Sequence, residues 1–239
     1  EFRHTMMNIR STILGLITLL MLSVGQAQAE RALAVVELFT SQGCSSCPPA
    51  DHVLGELAQE RDIIALSYHV DYWDYMGWKD IFGSPENSQR QRVYAHRMKK
   101  KNVYTPQMVV NGKADVVGSR PMDVAKAVMN AKKRTMPVSV KITPVAQGLL
   151  VSAASNGLQN GTYDLIAVAI TPNAEVQIKR GENRGKTIRY VNVVRDFKPI
   201  GQLSNGQARL TLPAVDGAKL AVFVQAQGQG PIVGAALQD

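Results

Sequence analysis

Two hydrophobic rhythms divide the chain near residue 136. In the first half, apolar runs at 33–40, 63–70 and 105–110, and a short one at 114–117, are rich in Val, Ile and Leu and read as strands. Segments 48–60, 84–101 and 121–133 read as helices. Prolines at the start of each fit a first turn, where a missing N–H costs little. Asn111-Gly112 is a hairpin signal. After Met136-Pro137 the rhythm becomes period two, with Val138, Val140 and Ile142 alternating with polar residues. Further strand candidates fall at 149–153, 163–171, 175–179, 188–194, 208–212 and 220–226, punctuated by Gly, Asn and Pro. The pattern predicts an α/β region over 30–136, followed closely by an all-β, sandwich-like domain over 137–239.

The N-terminal stretch has a different logic. Residues 1–5 precede any Met and read as an expression remnant. Residues 6–29 carry Arg10, an apolar run at 13–22 and Ala27-Gln28-Ala29, the pattern of a secretory signal peptide. The apolar run is short of the roughly 20 residues that a membrane span needs. The expectation is an exported protein, periplasmic or secreted, with no stable membrane span after cleavage. Charge adds little. The net charge of +8 favours acidic partners or surfaces. The basic cluster Arg97-Met98-Lys99-Lys100-Lys101 closes a predicted helix, where cations suit the dipole, so no nucleic-acid partner is expected.

The chemistry concentrates at Cys44-Ser45-Ser46-Cys47, which holds the only two cysteines. The turn follows the first strand and opens the first helix. Free amides and the positive end of a helix dipole favour a thiolate there. A thiol of pKa about 8.5 is about 3% thiolate at pH 7, and one of about 6 is roughly 90%. Cys44 is expected to attack and Cys47 to resolve, so the pair also forms the expected disulfide. No organic cofactor is implied, because the dithiol itself carries the electrons. Two other readings stay open. The pair is a structural staple, or it handles Cu(I) with His69 as third ligand. No HxxxH and no second CxxC supports a metal site, and none is assigned.

Tyr72, Trp73, Tyr75 and Trp78 crowd one loop, together with Asp71, Asp74 and Asp80. Aromatic rings bury large areas with few rotors, so Tyr72, Trp73 and Trp78 are candidate substrate contacts; packing inside the fold is the alternative. Gly181-Glu182-Asn183-Arg184-Gly185-Lys186-Thr187 imitates a phosphate loop, but only three residues separate its glycines and its flanks read as β, so a polar hairpin is expected.

CSSC after a strand, Thr105-Pro106 before another, and Asn111-Gly112 in a hairpin together resemble the thioredoxin fold. That resemblance implies a cis Pro106 beside the cysteines and a Thr105 backbone that pairs with a bound peptide. It also implies a buried carboxylate, here Glu37 in the first strand, that moves a proton for Cys47. More narrowly, residues 36–51, 69–80 and 181–187 resemble a family of secreted bacterial thioredoxin-like proteins of unknown function. The expected function is an exported thiol–disulfide oxidoreductase acting on protein or peptide thiols and disulfides, served by an unidentified redox partner. The alternatives are a non-enzymatic binding or assembly protein with a structural CSSC disulfide, and a copper-handling protein.

Overall fold

The structure, a computed structural model, describes residues 34–155, 157–158, 160–214 and 217–238. The expected remnant 1–5 and signal peptide 6–29 lie outside the described residues. The chain begins with β1 (Ala34–Thr40), α1 (Pro48–Leu57), β2 (Ile63–His69) and a 3-10 turn at Asp74–Met76. It continues with α2 (Pro85–Arg97), β3 (Gln107–Val110), β4 (Ala114–Val117) and α3 (Pro121–Lys132). Seven strands complete it: β5 (Val138–Val145), β6 (Gly148–Ser155), β7 (Tyr163–Gln177), β8 (Thr187–Gln202), β9 (Gln207–Leu212), β10 (Lys219–Ala226) and β11 (Ile232–Leu237).

Local chemistry explains the element starts. Each helix has Pro in its first turn, and Ser84 Oγ accepts from the Asn87 amide at 3.2 Å to cap α2. The β3–β4 turn uses Asn111 at φ 50° and Gly112 at φ 64°. A Cβ on Gly112 would stand 2.6 Å from the Gly230 carbonyl, so this turn requires glycine for space as well as for backbone angle.

The predicted architecture, a thioredoxin-like α/β fold followed by an all-β sandwich-like domain, is overturned by the sheet. One eight-stranded mixed sheet runs in the order β11-β10-β7-β8-β2-β1-β3-β4. Four strands from the second half therefore extend the sheet begun by the first. Only β5, β6 and β9 form a separate three-stranded sheet. The join is at β2, where Ser67 pairs with Val193 of β8 in parallel. The physical reason is the composition of β2. Ile-Ile-Ala-Leu-Ser-Tyr-His is buried at every position, so the backbone N–H and C=O groups on the edge that β1 leaves free need a partner strand out of water. Hydrophobic rhythm specifies a strand and its faces; it does not say which strand will lie beside it.

Two of the predicted strands, 163–171 and 175–179, are one strand, β7. Pro172 reads as a breaker in sequence, but β10 pairs with β7 only as far as Ile170. Beyond that point one edge of β7 is open, and a residue without an N–H is tolerated there. The sequence reading also missed β11.

Strand alternation sorts the core into two faces. Ala34, Val36 and Leu38 of β1 pack with Ala50, Val53 and Leu54 of α1 and Val124 and Val128 of α3. Val35 and Phe39 pack on the other side with Tyr94 of α2, Phe223 of β10 and Ile232 of β11. The three-stranded sheet buries Val138, Val151 and Ala153 against Leu165, Val222 and Val224 of the large sheet.

Candidate functional site

The CSSC turn leaves the C-terminal end of β1 and enters α1. Cys44 and Cys47 form a disulfide with Cα atoms 5.4 Å apart. Cys47 is the N-cap of α1. The expected role of free helix amides is not what this turn provides. Pro48 and Pro49 have no N–H, while the Ala50 and Asp51 amides both donate to the Cys47 carbonyl, at 2.8 and 3.1 Å. The groups at Cys44 Sγ are hydroxyls. Thr105 Oγ1 donates to it at 3.2 Å, and Ser46 Oγ lies 3.4 Å away. Trp73 Nε1 in turn donates to Thr105 Oγ1 at 2.8 Å. A chain of donors thus runs from an indole through a hydroxyl to the disulfide sulfur, an arrangement that would stabilise negative charge on Cys44 once the pair is reduced.

The Thr105–Pro106 peptide is cis. Pro106 is buried, and Thr105 is half-buried beside Cys44. Both cysteines are shielded, Cys44 at 2% and Cys47 at 0% exposure, so Cys44 is not the open thiol that its place in the turn suggests. Ser45 and Ser46 are the exposed members. The reason is the aromatic loop, which lies against the turn: a Cβ on Gly43 would stand 3.1 Å from the Trp73 carbonyl.

Each aromatic candidate in that loop is tied inward. Tyr72 Oη donates to Gln91 Oε1 at 3.0 Å, and burial pushes its hydroxyl up to about 12. Trp78 Nε1 donates to Gln42 Oε1 at 2.8 Å. Tyr72, Trp73 and Trp78 are half-buried and brace the dithiol turn and α2. Tyr75, stacked on Trp73 with ring centroids 6.3 Å apart, is the ring that faces solvent.

Glu37 shares a face with Val35 and Phe39, opposite the face on which α1 packs. Its oxygens accept from Arg90 Nε at 2.7 Å and from Tyr94 Oη. Arg90 also reaches Gln225 Oε1 of β10 and is ringed by Tyr68, Tyr94, Phe197 and Phe223 at 5.1–5.5 Å. Burial disfavours the Arg90 charge, but the Glu37 charge and hydrogen bond, with Tyr94 and Tyr68, together outweigh it, so Arg90 holds its proton firmly. Glu37 thus faces away from α1 and serves an ion pair that ties β1, α2 and β10 together. The proton-transfer role expected of it does not follow from this placement.

A different carboxyl lies under α1. Asp51, four residues after Cys47 and on the same helix face, is 5% exposed. Burial raises its carboxyl to about 7; the His69 charge and the nearby Thr40 hydroxyl, which stands outside hydrogen-bond geometry, oppose the rise, and the Asp80 charge adds to it. His69 Nδ1 lies 2.7 Å from Asp80 Oδ2, and the two side chains are fully buried. Asp80 also accepts from the Gln42 amide at 2.7 Å and the Phe82 amide at 2.8 Å. Burial disfavours ionisation of Asp80, but His69 and these amides outweigh it and hold its carboxyl below the ordinary range. His69, the third ligand of the alternative Cu(I) reading, is fully buried with its Nδ1 on Asp80. Among the described residues no three His, Cys, Asp or Glu side chains are arranged to hold a metal ion.

Asn183 also belongs to this site. Its Nδ2 donates to the carbonyls of Gln42 and Cys44, at 3.0 and 2.9 Å, from the segment that resembles a phosphate loop. That segment clamps the dithiol turn. No local sequence signal announces this. For Asp51 a signal existed: a carboxylate one helical turn after the second cysteine, on the face that packs on β1.

The fold and site define a mixed-sheet protein whose CxxC disulfide sits at a helix start beneath an aromatic loop. Residues 35–225 match the family described as "Protein of unknown function (DUF1223)", and the chain belongs to that family. The X-ray structure of a protein from Agrobacterium tumefaciens is similar at 33% identity, covering 88% of this chain and 95% of that one, with a TM-score of 0.76. HBP35 of Porphyromonas gingivalis shares the fold at 12% identity, covering 87% of this chain and 75% of that one, with a TM-score of 0.60. No curated protein matches the chain.

Proposed function

We propose that this protein is an exported thiol–disulfide oxidoreductase that uses the Cys44–Cys47 pair on protein or peptide thiols, with thioredoxin-like chemistry at the dithiol turn. The observation that carries the reading is the donor chain from Trp73 through Thr105 to Cys44 Sγ. A structural staple has no need of donors aimed at one of its sulfurs. A nucleophile gains from them, because they stabilise the thiolate more than the thiol.

In the reducing direction, the Cys44 thiolate attacks one sulfur of a substrate disulfide. A Cys44–substrate disulfide forms and one substrate thiolate leaves. Cys47 then attacks Cys44 Sγ, closing the internal disulfide and releasing the second substrate thiolate. Two electrons pass to the substrate. The oxidising direction is the same sequence reversed, and an external dithiol or disulfide resets the pair. Access to Cys44 requires the loop bearing Trp73 to move, since the sulfur is covered.

Trapping tests this reading. Reduced Cys47→Ser protein offered oxidised glutathione is expected to accumulate a mixed disulfide on Cys44, read as added mass, while Cys44→Ser is not. Failure of both variants and of the parent protein to exchange sinks the proposal. The pair is then a staple, and a reduction potential below about −300 mV would accompany it.

A further inference from the structure

Cys47 is fully buried, so the proton that its thiol gives up when it attacks, and regains when it leaves, cannot pass straight to solvent. A neighbouring group must take it. Asp51 is one helical turn away, and its amide donates to the Cys47 carbonyl at 3.1 Å. Both of its carboxyl oxygens are buried without a hydrogen-bond partner. Such a carboxyl costs stability and is kept where chemistry uses it.

The surroundings are built from the same face of three strands. Thr40 ends β1 and pairs in register with His69, which ends β2. Tyr190 of β8 stacks edge-on to His69 with centroids 4.6 Å apart. Thr40 Oγ1, Ser67 Oγ, His69 Nε2 and Tyr190 Oη are each buried without a partner, like the Asp51 oxygens. The charged and titratable groups acting on Asp51 from these elements are His69 and Asp80, with Tyr190 beside them; Glu37 of β1 is on the opposite face. On its own helix, His52 and Glu56 face solvent. Asp80 engages Nδ1 of His69, and Nε2 faces this interior without a hydrogen-bond partner.

We infer that Asp51 is the proton acceptor and donor for Cys47, and that the buried His69–Asp80 pair acts on it through its charges. The inference rests on the dithiol reading above. When the mixed disulfide resolves, the Cys47 proton moves to the Asp51 carboxylate as the Cys47–Cys44 bond forms and the Cys44–substrate bond breaks. In the reverse direction the proton returns to Cys47 as its sulfur leaves. Asp51 has a carboxyl raised to about 7 by burial, in the range where it does both near neutral pH.

The test separates the two steps. Reduced protein is mixed with oxidised glutathione, quenched with acid at successive times, and the Cys44–glutathione adduct is counted by mass from pH 5 to 9. Asp51→Asn is expected to form the adduct at the parent rate and to resolve it about 100-fold more slowly at pH 7. The deficit narrows toward pH 9, where solvent base deprotonates Cys47 unaided. Asp51→Glu restores part of the rate, and His69→Gln shifts the pH at which resolution accelerates. Glu37→Gln leaves the resolution profile unchanged. Resolution by Asp51→Asn at the parent rate throughout this range overturns the assignment and leaves the dithiol reading standing. If the parent forms neither adduct nor internal disulfide and Cys47→Ser forms no adduct, both readings are overturned.

Discussion

Replacing Asp51 by Asn removes one ionisable carboxyl from the interior under α1, and the structure sets the sign and size of the effect on stability. Burial raises this carboxyl from 3.8 to about 7. The folded state therefore holds the Asp51 proton over a range in which the unfolded chain has lost it. The favourable contribution of that proton is fully present below pH 3.8 and is lost as pH rises toward 7. The difference corresponds to about 4 kcal/mol. Asn is nearly isosteric and does not titrate. The stability of Asp51→Asn relative to the parent should therefore rise by about 4 kcal/mol between pH 4 and pH 8. Groups common to both proteins cancel in the comparison. Urea unfolding of the oxidised proteins at pH 4, 6 and 8 measures it. With a slope of about 2 kcal/mol/M, the separation of midpoints should grow by about 2 M across the range. A separation that is the same at pH 4 and pH 8 refutes the reasoning, because Asp51 then titrates as it does in the unfolded chain. A carboxyl that weakens the fold at neutral pH, one turn from the second cysteine, is what a proton carrier should cost.

Three other changes follow from the same contacts. Thr105→Val removes the hydroxyl that donates to Cys44, and loss of a hydrogen bond to a charged acceptor is worth about 1.5–3 kcal/mol. The Cys44 thiol should rise by about 1–2 pKa units, measured from the pH dependence of iodoacetamide alkylation in a reduced Cys47→Ser background; an unchanged titration would show that Thr105 does not serve the thiolate. Glu37→Gln leaves Arg90 buried without its counter-charge and should destabilise the protein by about 3 kcal/mol in urea without slowing thiol exchange. Asn183→Ala frees the carbonyls of Gln42 and Cys44 and should cost about 2 kcal/mol. It should also raise amide hydrogen exchange at residues 42–47, and unchanged protection there would remove Asn183 from the site.

The sequence by itself determined the local parts. The apolar runs specify β1, β2 and β3 because a buried strand needs continuous Val, Ile and Leu, and Pro with Ser84 marks the helix starts. CSSC between a strand and a helix start located the dithiol, and Thr105-Pro106 located the group beside it, because those residue types are local in their chemistry. Only the tertiary structure decided the sheet. Whether β8 lies next to β2 or inside a separate sandwich depends on which distant strand pairs with the free edge of β2, and no local pattern encodes that. It also decided which carboxylate serves which partner. Glu37 and Thr40 differ by an odd number of residues on one strand, so they face opposite sides, and only the placement of α1 on one side and of α2 on the other makes one side the dithiol's. Asn183 lies more than 130 residues from Gln42 and Cys44, and its two hydrogen bonds exist because the sheet folds that hairpin back onto the turn. Charge, burial and proton affinity at this site are properties of that assembly.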